Sequence, residues 1–294
     1  MTEIEKILLT GATGRVGQKV VRDLVAKGVQ VTVYVRNLAK SQEMFGTAPT
    51  VTHVEGDLSD LTPLQTALPG HSRLFLLTND FGTMVTTKTR IAELAYAAGV
   101  RQIVDLSSRL VTLPWRTSAI GEAHRLAEEN AYRLAIEHNA HFVSVRPSRF
   151  MSNQIFLDGP HIKAKQTIAD HTPPDTPSEW VSPDDISDVI TCILSDPIDK
   201  HASFAYPLIG DTVSGQARAR LFSQVLGKPI HYNALSPKQH YDILAAHAPP
   251  ALAFDLSSAV LDNPVTHVVP ILLGRPNESM EQWLDRNKHF FTTS

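Results

Sequence analysis

Short apolar runs alternate with helix-period segments along most of the chain. Ile7 to Leu9, closed by Thr10, reads as a fully buried strand. The pattern returns at Val29 to Val35, Val51 to Val54, Arg73 to Thr78, Gln102 to Ser108, His141 to Val145 and Phe204 to Gly210. Between these runs the spacing becomes that of amphipathic helices. Gln18 to Lys27 turns Val20, Val21, Leu24 and Val25 inward and stops at Gly28; Thr86 to Ala98 turns Ile91, Leu94 and Ala95 inward and stops at Gly99; Ser118 to Ile136 is a third such segment. Strands separated by helices predict α/β architecture, a Rossmann-type doubly wound parallel sheet.

After Asp158 the pattern loosens. Lys163, Lys165 and the proline-rich run from His171 to Pro177 predict an irregular or extended segment, through Trp180, that covers a pocket. Pro183 then opens a helix whose first turn carries Asp184 and Asp185, read as helix-start residues because no further ligands for a metal converge in sequence. Ser214 to Leu226 is a helix ended by Gly227, Pro229 to Leu235 is extended, and Ser236 to Ala248 is helical.

The first strand runs straight into Gly11, Gly14 and Gly17, spaced G-x-x-G-x-x-G, and then into a helix. That order aims backbone N–H groups and the positive end of a helix dipole at one point, which suits a pyrophosphate. Gly11 allows a tight turn, Gly14 lets a cofactor approach the backbone, and Gly17 lets helix and strand pack closely. The end of the second strand then selects between dinucleotides. An acid there would hold the ribose hydroxyls of NAD, but the residues are Arg36 and Asn37. Arg36 with Arg15 would fork onto a 2′-phosphate, so NADP(H) is expected over NAD(H). Ligands of open α/β sheets lie beyond the strands' carboxyl ends, which places Leu77, Thr78 and Asn79 beside the cofactor's ribose and nicotinamide.

T-G-A-T-G-R-V-G, spanning Thr10 to Gly17, resembles the opening of the atypical short-chain dehydrogenases and in particular the NmrA-like family. The run Arg146-Pro-Ser-Arg-Phe-Met-Ser-Asn153 resembles the R-P-x-x-F-M-x-N pattern of NmrA-like and ergot-alkaloid-dehydrogenase-type members, and quinone-reductase-type members are similar. Val181 to Val189 matches V-x-x-x-D-I-x-x-V, and Gly274-Arg-Pro to Trp283 resembles the family's closing segment. The resemblance spans nearly the whole chain. It implies cofactor contacts from Thr10, Gly11, Thr13, Gly14, Arg15, Val16 and Gly17, then Arg36, Asp57, Leu58, Leu77, Thr78, Asn79, Ser107 and Pro147. Asp57 would hydrogen-bond near the adenine amine; from local signals it equally reads as the cap of a helix starting near Ser59 or Asp60.

In short-chain dehydrogenases a serine at the end of the fifth strand, here Ser107 or Ser108, bonds the reacting carbonyl beside a Tyr-x-x-x-Lys pair. Here Tyr132 is followed four residues later by Ile136, so that pair is absent. The resemblance allows His124 as the proton donor. Glu128, one helical turn on, would orient its imidazole; the plain alternative is a partly exposed surface histidine. Phe81, Trp115, Phe150 and Met151 would wall an apolar substrate pocket, with Asn153 a polar contact.

At 294 residues and 43% hydrophobic content the chain can bury a substantial core. We expect residues 1–150 to form the NAD(P)-binding core, completed by the strand near 203–210. Residues 151–294 would form most of a small C-terminal substrate-binding lobe interleaved with it. A net charge of −3 without a Lys/Arg run argues against direct nucleic-acid binding. One cysteine, Cys192, and no long apolar stretch near Met1 suggest a cytoplasmic protein without disulfides or a membrane span, acting as a monomer or homodimer.

Hydride transfer from NADPH is the expected chemistry, to a small, mainly apolar acceptor of imine, iminium, quinone or enone type, since these need less oxyanion stabilisation than a ketone. The alternative is a non-catalytic NADP(H)-sensing regulator acting through a protein partner. An isomerase or cyclase on the same fold is a third reading.

Overall fold

The computed structural model describes residues 5–46, 49–259, 261 and 263–292. In chain order the elements are β1 (Lys6–Thr10), α1 (Arg15–Ala26), β2 (Gln30–Val35), α2 (Leu38–Phe45), β3 (Val51–Glu55), α3 (Thr62–Ala67), β4 (Arg73–Leu76), α4 (Met84–Ala97), β5 (Gln102–Leu106), α5 (Ala119–Glu137) and β6 (His141–Pro147). There follow β7 (Arg149–Phe150), α6 (Gln154–Leu157), α7 (Gly159–Lys165), β8 (Thr167–Asp170), β9 (Pro177–Val181), α8 (Pro183–Ser195), α9 (Ile198–His201) and β10 (Ala205–Leu208). The chain closes with β11 (Asp211–Ser214), α10 (Gly215–Leu226), β12 (His231–Ala234), α11 (Pro237–Ala245), α12 (Pro250–Ser258), α13 (Val268–Leu273) and α14 (Met280–Asn287).

Seven strands form one sheet in the order β10-β6-β5-β4-β1-β2-β3. The pairings from β3 through β6 are parallel, with Leu9 opposite Val33 on one side and Phe75 on the other. This is the Rossmann-type doubly wound order, and its direction reverses between β1 and β4. The chain divides into two compact units. The first comprises residues 1–111, 123–146 and 186–206, so it takes α8 and α9 from late in the sequence. Its parallel strands are near-continuous apolar runs because both faces are covered: Ile7, Leu8, Leu9, Leu74, Phe75, Ile103 and Val104 have no exposed surface. The face covered by α4 packs Leu8, Leu74 and Ile103 against Ile91, Ala95 and Tyr96. Arg73 is also buried here, and its guanidinium donates to the carbonyls of Ile193 (2.9 Å) and Asp196 (2.7 Å), holding the end of α8 to β4.

The second unit comprises residues 112–122, 147–185 and 207–294. It carries two small sheets, β11-β9-β7 and β12-β8. Its core gathers Met151, Ile162, Ile168, Trp180, Phe222, Trp283, Leu284 and Phe291. The Trp180 ring lies under two guanidiniums, those of Arg149 (5.1 Å) and Arg218 (4.7 Å). The segment between Asp158 and Trp180 is extended at β8 and β9 and irregular at the turn holding Pro173 and Pro174, as its prolines predict, and the departure is the helix α7. Sheet partners far away in sequence organise its strands: β12 for β8, and β7 and β11 for β9.

Candidate cofactor and reaction site

The glycine turn is built as a cradle. Gly11 takes a left-handed φ of 65°, and its carbonyl accepts the Gly14 N–H at 3.0 Å. A Cβ at Gly17 would lie 2.3 Å from the Gly11 oxygen, so any side chain there would push α1 off the turn. Gly14 precedes α1 and brings no capping side chain, which leaves the N–H groups of the first helical turn directed outward. Those groups and the dipole they share fit a pyrophosphate. Thr10 Oγ1 accepts the Leu77 N–H (2.8 Å) and donates to the Leu77 carbonyl (3.0 Å). This staple joins the ends of β1 and β4, where the sheet order reverses and a ligand crevice is expected.

Because β1 to β5 are parallel, Gly11, Arg36, Asp57, Leu77 and Ser107 leave from one edge of the sheet. Val16 is buried on α1, Thr13 is half-buried, Arg15 is exposed on the first turn, and Arg36 is exposed just past β2. Asn37 caps α2 by accepting the Lys40 N–H at 2.8 Å. Asp57 is not a helix cap, since α3 begins only at Thr62; its carboxylate accepts the Ser59 N–H at 2.9 Å within its own turn. Hydrogen bonds from Ser59, with Arg36 nearby, hold the Asp57 carboxyl below the usual range. Leu58 and Thr78 are half-buried and Asn79 is exposed.

At the ends of β5 and β6 lies a charged cluster that helix spacing alone did not reveal. Glu128 accepts the Ser107 hydroxyl, the Ser144 hydroxyl (2.5 Å) and the Arg146 guanidinium, whose Nε lies at 3.1 Å and whose Nη2 completes the fork. The carboxylate therefore does not orient His124, as its place one turn along α5 had suggested. Nor is His124 a surface residue: it is 6% exposed, its ring meets the edge of Phe81 at 6.1 Å, and its Nδ1 has no partner among the described residues. Burial, with Lys88 nearby, pushes its pKa down to about 3, so the ring is neutral at neutral pH. Ser107 gives its hydroxyl proton to Glu128, and Ser108 uses its oxygen to accept the Leu110 N–H at 3.2 Å.

Beneath this cluster Lys88 and Asp105 form a fully buried ion pair at 2.6 Å, and the ammonium also donates to the Leu106 carbonyl at 3.1 Å. The sequence signal was Lys88 itself, placed at helical spacing with Met84, Ile91, Ala92 and Ala95 on the inner face of α4.

In the second unit Pro147 is the buried last residue of β6 and Phe150 is half-buried in β7. Met151 has no exposed surface and belongs to the core around Trp180, a correction to its expected place on a pocket wall. The 3₁₀ turn at 151–153 points this side chain inward and leaves Asn153 exposed. Trp115 is 69% exposed and stacks against Arg116. It precedes a surface hollow lined by Arg116, Ser118, Glu122, Ala251, Phe254 and Asp255.

A parallel sheet in this strand order, with a glycine turn at its reversal point, defines a Rossmann-type α/β protein built to bind a dinucleotide. The chain belongs to the NmrA-like family, whose sequence pattern matches residues 3–262. It is 31% identical over 285 residues to the (4-alkanoyl-5-oxo-2,5-dihydrofuran-3-yl)methyl phosphate reductase of Streptomyces griseus subsp. griseus, covering 94% of this chain and 96% of the relative. It is 27% identical over 287 residues to the NAD(P)H azoreductase of Xenophilus azovorans, with the same coverage of 94% and 96%. Among solved structures, the NADPH complex of the quinone oxidoreductase QOR2 of Escherichia coli superposes with a TM-score of 0.81 at 22% identity, covering 97% of this chain and 100% of that one. No helix among the described residues is long and apolar enough to cross a membrane.

Proposed function

We propose that the protein is an NADPH-dependent reductase that delivers hydride to a small, mainly apolar acceptor already activated by conjugation or charge: a quinone, an enone, or an imine or iminium. The observation that carries this reading is the Ser107–Glu128 hydrogen bond. With its hydroxyl donated to a buried carboxylate, Ser107 is not aimed at a developing alkoxide, and the neutral His124 has a single ring N–H but no positive charge to set against one. An acceptor that spreads or neutralises its own charge is therefore favoured over a plain ketone. The relatives' names agree with this reading. The dihydrofuranone named for one has a ring double bond conjugated to two carbonyls, and the other is named for azo compounds.

The bound nicotinamide supplies the hydride, and the protein's part is to hold and orient the reactants. In this reading the α1 amino end, Thr13 and Gly14 receive the pyrophosphate, Arg15 and Arg36 favour a 2′-phosphate, and Asp57 and Leu58 flank the adenine. Leu77, Thr78, Asn79, Ser107 and Pro147 border the ribose and nicotinamide, and Phe81, Trp115, Phe150 and Asn153 serve the acceptor. The partner is a small molecule rather than nucleic acid, and a cytoplasmic monomer or homodimer fits the composition.

The test is to mix the purified protein with NADPH and a panel of quinones, enones, cyclic imines and simple ketones, and to follow loss of reduced-cofactor absorbance. Turnover of activated acceptors with little or none of the ketones is expected. Tight NADPH binding without turnover of any acceptor would replace the reductase by a dinucleotide sensor.

A further inference from the structure

Asp170, His171 and His240 converge although 69 positions separate the two histidines. His171 Nδ1 lies 2.9 Å from both Asp170 Oδ1 and His240 Nδ1, and His240 Nδ1 lies 3.8 Å from the same carboxylate oxygen. The imidazole side chains are 5% and 13% exposed. A point equidistant from the three atoms lies about 1.9 Å from each. An ion slightly out of their plane therefore reaches the ~2.0–2.2 Å that zinc takes to nitrogen and carboxylate oxygen.

Hydrogen bonding alone serves these atoms poorly. A single proton serves the His171–His240 hydrogen bond at 2.9 Å, whichever ring carries it, and the Asp170 oxygen 2.9 Å from His171 Nδ1 then either competes for that proton or sits beside a nitrogen that offers it none. A cation takes all three lone pairs at once. We propose that Asp170, His171 and His240 form a three-ligand site for a zinc-class divalent ion.

Ligand chemistry selects the ion. Two imidazoles with one oxygen suit zinc and its late first-row neighbours, whereas magnesium and calcium take all-oxygen shells. The outer contacts orient the carboxylate: Oδ2 takes Arg149 at 2.9 Å, with Arg218 at 3.9 Å, and Oδ1 also accepts the His171 backbone N–H at 2.7 Å. Arg218 is in turn paired to Asp158 at 2.6 Å, so two carboxylates balance two guanidiniums. In so neutral a surround, binding rests on nitrogen donors rather than on net negative charge. The second His/Asp/Cys group, Cys192, Asp196 and His201, is less open to an ion, because the Lys200 ammonium lies 2.5 Å from the shared Asp196 oxygen.

The site joins the end of β8 to α11. No residue of α11 is fully buried and its main neighbour is α12, so an ion at His240 clips the helix to β8 as well. The test uses the full chain, stripped with chelator and titrated with Co²⁺ and then Zn²⁺ in excess Mg²⁺. One Co²⁺ per chain with visible d–d absorption, displaced by Zn²⁺, is expected. His171→Gln and His240→Gln should each weaken binding at least tenfold, and Cys192→Ser should leave it unchanged. X-ray absorption on the Co²⁺-loaded wild-type chain should show two imidazoles, a readout that stands even if a variant misfolds. No binding, binding indifferent to both histidines in folded variants, or a thiolate charge-transfer band lost in Cys192→Ser would overturn the assignment.

Discussion

At the residue scale, position within the fold changes what a side chain can do. His124 is held neutral, with a pKa of about 3 against 6.5 in the unfolded chain, first by burial and then by Lys88. Between those values the unfolded chain binds a proton that the folded chain refuses. This histidine's contribution to stability is thus complete above pH 6.5 and falls as pH drops toward 3, by up to about 1.4 kcal/mol per pH unit. Urea unfolding from pH 7 to pH 4 should show a shallower loss of stability in His124→Leu than in wild type; parallel curves would refute the buried neutral ring. Arg36 carries a separate prediction. If it meets a 2′-phosphate, Arg36→Ala should weaken NADPH at least tenfold in a fluorescence titration while NADH changes little, and equal losses would remove the role.

The glycine turn was legible at this scale because a left-handed φ at Gly11 and a closed approach at Gly17 are demands that the backbone makes locally. The partner of Glu128 was not. Spacing along α5 put Glu128 beside His124, but side chains arriving from β5 and β6 took the carboxylate.

At the element scale, α4 is fastened to β5 by a buried salt bridge beside its apolar packing on Ile103. Removing Lys88 leaves the Asp105 carboxyl, already raised by burial, without its counter-charge. Lys88→Met should therefore cost about 3–5 kcal/mol in denaturant unfolding, and adding Asp105→Leu should restore most of it. Losses that simply add would show that the pair is not coupled. The core strands and long helices were readable from their periods, with boundaries moved by a few residues: α1 starts at Arg15 rather than Gln18 because Gly14 ends the turn. The short elements β8, β9 and α7 were not, since two of the three form by pairing with strands from other parts of the chain.

At the scale of the whole molecule, the chain passes between its two compact units five times, after residues 111, 122, 146, 185 and 206. A fragment of residues 1–150 would lack α8, whose Ile186, Val189, Ile190, Ile193 and Leu194 are buried, and the carbonyls that receive Arg73. Such a fragment should give no cooperative melt by circular dichroism while the full chain does; a sharp transition in the fragment would show that the first 150 residues fold alone.

The sequence by itself determined the alternation of strand and helix, the glycine turn between β1 and α1, and the family, because side-chain period and backbone conformation are set by near neighbours. Tertiary structure decided that Met151 faces a core, that Ser107 gives its proton to Glu128, and that His171 meets His240. A buried polar or charged group must find a partner wherever the fold brings one, and its distance along the chain places no limit on that choice.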